Sequence, residues 1–177
     1  ISSNKDGEHQ TVFDLLDDSF HTPYLQDHLH IIGRLDMDTE GLLLFTTDGE
    51  LTHRLISPKS HINKTYYCEL EHPETDENKN LSSRKFLEGI EVGPEDNEPG
   101  FKCQSAQIEW KSDNTALLTI YEGKYHQVKR MFLAVQNKIT FLKRISIGSL
   151  SLDPSLSPGD YKFLTQEDLD KLLIQDS

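Results

Sequence analysis

Residues 33–49 read Gly-Arg-Leu-Asp-Met-Asp-Thr-Glu-Gly-Leu-Leu-Leu-Phe-Thr-Thr-Asp-Gly. An arginine and three carboxylates fall between positions 34 and 40, and a wholly apolar run over 42–45 follows at once. A continuous apolar run of that length fits a strand buried on both faces. The charges ahead of it must therefore sit where the chain enters the core. Burying an unpaired charge costs several kcal/mol or forces its neutralisation, so these side chains need water, a partner or a chemical task. Asp36 is the strongest candidate for a task. After the run, Thr47-Asp48-Gly49 reads as a turn, with Asp48 the N-cap of an amphipathic helix over 50–56 that Pro58 ends.

Turn residues punctuate the rest of the chain at short intervals. Residues 1–10 are polar and expected to be irregular, 12–16 suit a short helix, and 20–30 and 92–100 read as loops. Strands are expected over 65–70, 104–110, 115–122, 139–150 and 161–164, with 112–114 as a hairpin connection. Residues 81–87 suit a helix closed by Gly89. Apolar residues at 128, 131, 132 and 135 have the spacing of one buried helical face over 126–137. Thr165 and Asp168 open a last helix in capping-box fashion, with Asp in place of the usual Glu or Gln. Strands outnumber helices, which predicts an α+β fold on a mixed, mostly antiparallel sheet.

The 177 residues suffice for one domain with a sizeable core, and 1–177 is read as a single unit. No run is long and apolar enough to span a membrane. Cys68 and Cys103 lie in strand-like stretches and are read as reduced core thiols, as in a cytoplasmic protein. The net charge of −12 argues on its face against a polyanionic partner. The charge is uneven, however: residues 69–99 carry ten acids against Lys79, Arg84 and Lys85. Residues 52–66 hold Arg54, Lys59, Lys64, His53 and His61 with no acid, and 123–146 hold Lys124, Lys129, Arg130, Lys138, Lys143 and Arg144 with none. Two acid-free basic segments could form one positive face on an acidic body.

Several chemistries compete for residues 36–41. A calcium loop of the EF-hand type needs a bidentate Glu at its twelfth position, which here is Thr47. A phosphatase motif of the Asp-x-Asp-x-Thr kind has Thr at its fifth position, which here is Glu40, and no doubly wound βαβ series is evident. Two readings remain open on residue type alone: a lone nucleophilic or acid/base Asp36, useful for breaking a glycosidic bond, and an acidic turn leading into a strand.

Gly33-Arg34-Leu35-Asp36, with Thr39, 41–44 and 47–49, resembles the signature of bacterial pseudouridine synthases, and most closely the small-subunit ribosomal RNA enzymes of the RsuA group. Lys64-Thr65-Tyr66 resembles the family's Lys-x-Tyr motif. Glu122-Gly123-Lys124-Tyr125-His126-Gln127-Val128-Lys129-Arg130-Met131-Phe132 resembles its Glu-Gly-x-x-x-Gln-Val-basic-Arg-Met motif. The tail from Ile147-Gly148 to Thr165 follows the family's ending. Members carry a small S4-type RNA-binding domain and an Asn-Lys-Pro segment ahead of this point; the expectation here is the catalytic domain without them.

The resemblance implies the pseudouridine synthase fold with a central active-site cleft, and conversion of a uridine in ribosomal RNA, expected to be 16S, to pseudouridine. It implies no cofactor and no metal. Asp36 would be the nucleophile, Lys129 its cationic partner, and Tyr66 the residue packing on the target base. Arg34 would help hold the RNA open, the alternative being a structural salt bridge. Arg54, Lys59, Lys64, Lys124, Arg130 and Arg144 are candidate phosphate contacts, and Gly123 is expected to allow a tight turn before the Lys129 helix. The partner would be ribosomal RNA within small-subunit assembly particles, met by a cytoplasmic monomer with no membrane association. Alternatives from other classes are a non-catalytic RNA-binding or ribosome-assembly module and a paired-carboxylate hydrolase.

Overall fold

The computed structural model of the chain describes Ser2 and residues 10–174, so most of the irregular start expected over 1–10 lies outside the described residues. A turn of 3-10 helix, Val12–Leu15, stands where a short helix was expected. Helix α1 (Pro23–His28) then occupies part of the expected loop, because Thr22 accepts a hydrogen bond from the Leu25 amide and Pro23 sits in the first turn, where its missing N–H costs nothing. Strands β1 (His30–Ile32), β2 (Glu40–Gly41) and β3 (Leu44–Thr46) follow, so the apolar run is divided rather than one strand over 42–45. Helix α2 (Gly49–Ile56) begins at Asp48, whose carboxylate accepts from the Glu50 and Leu51 amides.

Strand β4 (Lys64–Leu70) leads to α3 (Asp76–Glu88), capped by Thr75 and closed by Gly89. Gly89 has φ +91°, and a Cβ there would lie 2.6 Å from the Cys103 carbonyl oxygen, so a side chain has no room. The short pair β5 (Glu91–Val92) and β6 (Phe101–Lys102) frames the expected 92–100 loop. Strands β7 (Gln107–Trp110) and β8 (Thr115–Ile120) form the expected hairpin. Then come α4 (Gln127–Ala134), β9 (Ile139–Ile147), β10 (Leu150–Ser151) and α5 (Gln166–Leu173), the last opened by the Thr165–Asp168 capping box. Residues 161–164 form no strand. The Tyr161 hydroxyl instead donates to Asp17, and Phe163 stacks on Phe20.

The main sheet runs β10-β9-β4-β8-β7, antiparallel throughout, with β2 joined parallel to β9. A separate antiparallel pair joins β1 to β3. Two apolar cores flank this framework. One packs Cys68, Phe86, Leu118, Met131, Phe132 and Leu142 between the sheet, α3 and α4. The other gathers Ile32, Leu44, Leu55, Ile147, Leu150 and Leu172 under α2 and α5. Each fully buried side chain of this kind contributes roughly 1.5–3 kcal/mol. Cys68 and Cys103 are free and buried, and burial pushes both thiols up, Cys103 to about 11. The loop bearing Asp36 leaves the second core, whereas α4 belongs to the first.

Candidate active site

A buried arginine holds the Asp36 loop at both ends. Arg144 on β9 is only 1% exposed; its Nε donates to the Leu42 carbonyl (2.8 Å) and its Nη2 to the Gly33 carbonyl (2.8 Å). The Leu42 amide returns a bond to the Arg144 carbonyl at 2.8 Å. Gly41 lies so close that a Cβ would sit 2.2 Å from the Arg144 oxygen, with φ at +116°, so only glycine fits. Between these anchors the chain makes a tight turn, the Thr39 amide donating to the Asp36 carbonyl at 2.9 Å. The sequence expectation of a phosphate contact at Arg144 is therefore corrected: its guanidinium is committed to backbone carbonyls out of reach of RNA.

The turn aims Asp36 at α4. Lys129 Nζ lies 3.3 Å from Asp36 Oδ2 and 2.5 Å from Asp38 Oδ1, so one ammonium bridges two carboxylates. Burial alone would lower the Lys129 pKa, but the two carboxylates outweigh it and the net shift is upward. The same hydrogen bond from Lys129 lowers the pKa of Asp38. Both shifts favour the charged forms across neutral pH. Asp38 is thus the nearer partner of Lys129. His126 Nε2 stands 3.7 Å from Asp36 Oδ1, and His126 Nδ1 pairs with Glu95 at 2.9 Å. Sequence reasoning missed His126 and Glu95; the signal for His126 was its place in the motif three residues before Lys129.

The motif at 122–127 works as a closed hydrogen-bond ring. Glu122 Oε1 accepts from the Gln104 amide (2.7 Å) and from Gln127 Nε2 (2.9 Å), while Gln127 Oε1 accepts from the Lys124 amide (3.1 Å). The left-handed residue ahead of α4 is His126, φ 48°, not Gly123, so the expected turning role of Gly123 is corrected. A Cβ on Gly123 would instead meet only Lys64 Nζ, at 3.9 Å. Arg130 is 4% exposed: Nη2 donates to the carbonyls of Gly93 (2.6 Å) and Pro99 (2.7 Å), and Nη1 to that of Tyr125 (3.1 Å). Its expected phosphate contact is corrected for the same reason as that of Arg144.

Tyr66 is half-buried and packs against the first core. The register sets Tyr66 opposite Arg144, and Arg144 opposite Gly41, in a row across β4, β9 and β2. Tyr67 turns the other way, its hydroxyl donating to Glu69 at 3.0 Å. Arg34 is exposed beside the turn. Arg54 and Lys59 line one cleft with His53 and Ser57. An adjoining cleft of about 340 Å³ shares Ser57 and Ile62 with it and is lined by Lys64, Gln104, Gly123 and Lys124. The two acid-free segments therefore do meet, although Glu122 also lines this second cleft. Burial, with the nearby Arg144 charge, pulls the Lys64 pKa down to about 8. Among the described residues no three His, Cys, Asp or Glu side chains converge to hold a metal ion, and no helix is long and apolar enough to cross a membrane.

Comparison with known proteins bears on the same residues. The RNA pseudouridylate synthase family matches residues 2–134, a span that includes Asp36, Tyr66 and Lys129. An uncharacterized RNA pseudouridine synthase of Bacillus subtilis is 47% identical over 174 residues, 96% of this chain and 67% of that protein. Ribosomal small subunit pseudouridine synthase A of Vibrio vulnificus is 43% identical over 172 residues, 97% of this chain and 69% of that protein. In three dimensions, a crystal structure of pseudouridylate synthase matches with a TM-score of 0.83 at 42% identity, covering 97% of this chain and 68% of that one. The motifs, the sheet that carries them and these likenesses agree, and the chain belongs to the RNA pseudouridylate synthase family: it is an RNA pseudouridine synthase.

Proposed function

We propose that this enzyme isomerises a uridine of small-subunit ribosomal RNA, with Asp36 as the nucleophile. The observation that carries the reading is the Asp36–Lys129 contact at 3.3 Å, made between a loop of one core and a helix of the other. A carboxylate partly withdrawn from water beside a fixed cation has its desolvation offset while remaining open to a substrate. The reaction breaks the N1–C1′ bond and makes a C5–C1′ bond, with the C5 hydrogen leaving to solvent. A stacked uridine is out of reach, so the target must be flipped from its helix at a cost of a few kcal/mol. In this reading Arg34 props the opened RNA and Tyr66 packs on the base. Arg54, Lys59, Lys64 and Lys124, along the two joined clefts, take the flanking phosphates. The small-subunit assignment rests on the name of the Vibrio vulnificus relative.

Mapping pseudouridines in ribosomal RNA from cells with and without the intact gene tests the proposal. It predicts the loss of pseudouridine at one small-subunit position. An unchanged small-subunit map, or a loss confined to another RNA, would overturn the substrate assignment.

A further inference from the structure

We propose that Tyr125 is a stacking platform for a base of single-stranded RNA next to the target uridine, with Lys124 beside it for that nucleotide's phosphate. The proposal rests on the reading of Asp36 as the reacting centre.

Tyr125 is a large aromatic residue left 40% exposed at the edge of the site. One face of its ring lies on the His126 imidazole, with centroids 3.8 Å apart and planes 18° from parallel. That imidazole reaches to within 3.7 Å of Asp36, so the stacked pair leads outward from the carboxylate. The ring is held in place rather than loosely draped. Its hydroxyl donates to Asp96 at 2.6 Å, its backbone carbonyl accepts from Arg130 at 3.1 Å, and the Glu122–Gln127 ring of hydrogen bonds fixes the segment around it. The bond to Asp96 pushes the phenol up to about 12, so Tyr125 presents a neutral ring. The neighbouring Lys124 ammonium sits 4.2 Å from the Phe101 ring centroid, which orients a cation one residue from the platform. A cation tracking the backbone beside an aromatic face is how single-stranded nucleic acid is held with little regard to base identity. Nothing in the chemistry assigned to Asp36, Lys129 and Tyr66 uses this ring.

Two measurements on the whole protein test the platform. In turnover of unmodified ribosomal RNA, Tyr125→Leu should raise KM roughly ten-fold or more, with kcat changed by less than about three-fold. Tyr125→Phe, which loses the Asp96 bond but keeps the ring, should rescue most of that loss. A tyrosine that acts only through its hydroxyl bond to Asp96 predicts no such rescue, with Phe as impaired as Leu. Independently of turnover, an oligoribonucleotide with 2-aminopurine flanking a uridine should be quenched on binding to the wild type, to Tyr125→Phe and to Tyr125→Trp, but not to Tyr125→Leu. A KM in Tyr125→Leu equal to the wild-type value, Phe matching Leu, or quenching that ignores the ring overturns the proposal. Ring-dependent quenching by a protein that forms no pseudouridine in the RNA would instead retain the platform and remove the reading of Asp36.

Discussion

Two layers of the site use positive charge in opposite ways. Beneath the Asp36 turn, Arg144 is sealed against the carbonyls of Gly33 and Leu42, and on α4 Arg130 is sealed against those of Gly93, Pro99 and Tyr125. At the rim, Lys129 ends on two carboxylates, and Arg54, Lys59 and Lys124 end in open clefts or at the surface. Lys129 and Arg130 are adjacent in sequence, yet one belongs to each layer. A buried cation bonded to backbone carbonyls fixes geometry and is withdrawn from any ligand in solvent. A cation shared between carboxylates can redistribute its bonds when a substrate arrives. The lesson is that position relative to the core, rather than charge, separates the scaffold of this site from its chemistry.

The sharpest way to break that division is in the lower layer. Arg144→Leu leaves two carbonyls without their donor and should cost roughly 2–5 kcal/mol of stability, read as a shift of the urea midpoint, with activity lost alongside. Gly41→Ala should do at least as much harm, since its Cβ would collide with the Arg144 backbone. A stable, active Arg144→Leu protein would erase the distinction between the layers. In the rim, Lys129→Met should behave the other way. Its kcat should fall roughly 100-fold or more, while stability changes by less than about 1 kcal/mol, because the ion pairs it loses are partly exposed.

Weaker perturbations probe the clefts. Reversing two cations in Lys59→Glu with Lys124→Glu should weaken RNA binding roughly ten-fold at low salt and flatten its salt dependence. Binding unchanged by the double variant would count against a shared RNA path. The smallest effect is a pH dependence at Lys64. Its folded-state pKa is depressed to about 8 from an ordinary 10.5, so the folded protein loses this proton before the unfolded chain does. Protein stability should therefore rise between about pH 8 and 10.5, whereas RNA affinity should drop a few-fold as pH rises through about 8 and one phosphate contact is lost. Lys64→Arg, charged throughout, should remove that step in a salt titration repeated at two pH values.

What was legible in the sequence follows the same physical line. Local chemistry read well: the Asp48 cap, the Thr165–Asp168 capping box, the β7–β8 hairpin and the apolar face of α4 are all written within a few residues. Helix α3 was expected only from residue 81 because its first turn, Asp76 to Asn80, is polar; its cap, Thr75 accepting from the Asn78 amide, was the signal passed over. Residues 161–164 alternate like a strand, but their aromatic rings pair with the 17–20 turn, a tertiary choice invisible to periodicity. At the site, Asp36 and Lys129 could be matched through their motifs. The Asp38 contact spans 91 residues and has no local trace. Arg144 carried a readable clue, since strand alternation puts it on the same inward side as Leu142. Arg130 had no such mark, because two of its three carbonyl partners, Gly93 and Pro99, lie 31–37 residues away along the chain.

The division between scaffold and rim requires Asp36 to be the residue of the rim that carries the reaction. The direct measurement is tritium release from 5-tritiated uridine in unmodified ribosomal RNA, comparing wild type with Asp36→Asn at matched folding, checked by thermal melting. The prediction is release by the wild type and none above background from a variant whose melting temperature moves by no more than a few degrees. Wild-type release from a folded Asp36→Asn protein would contradict it.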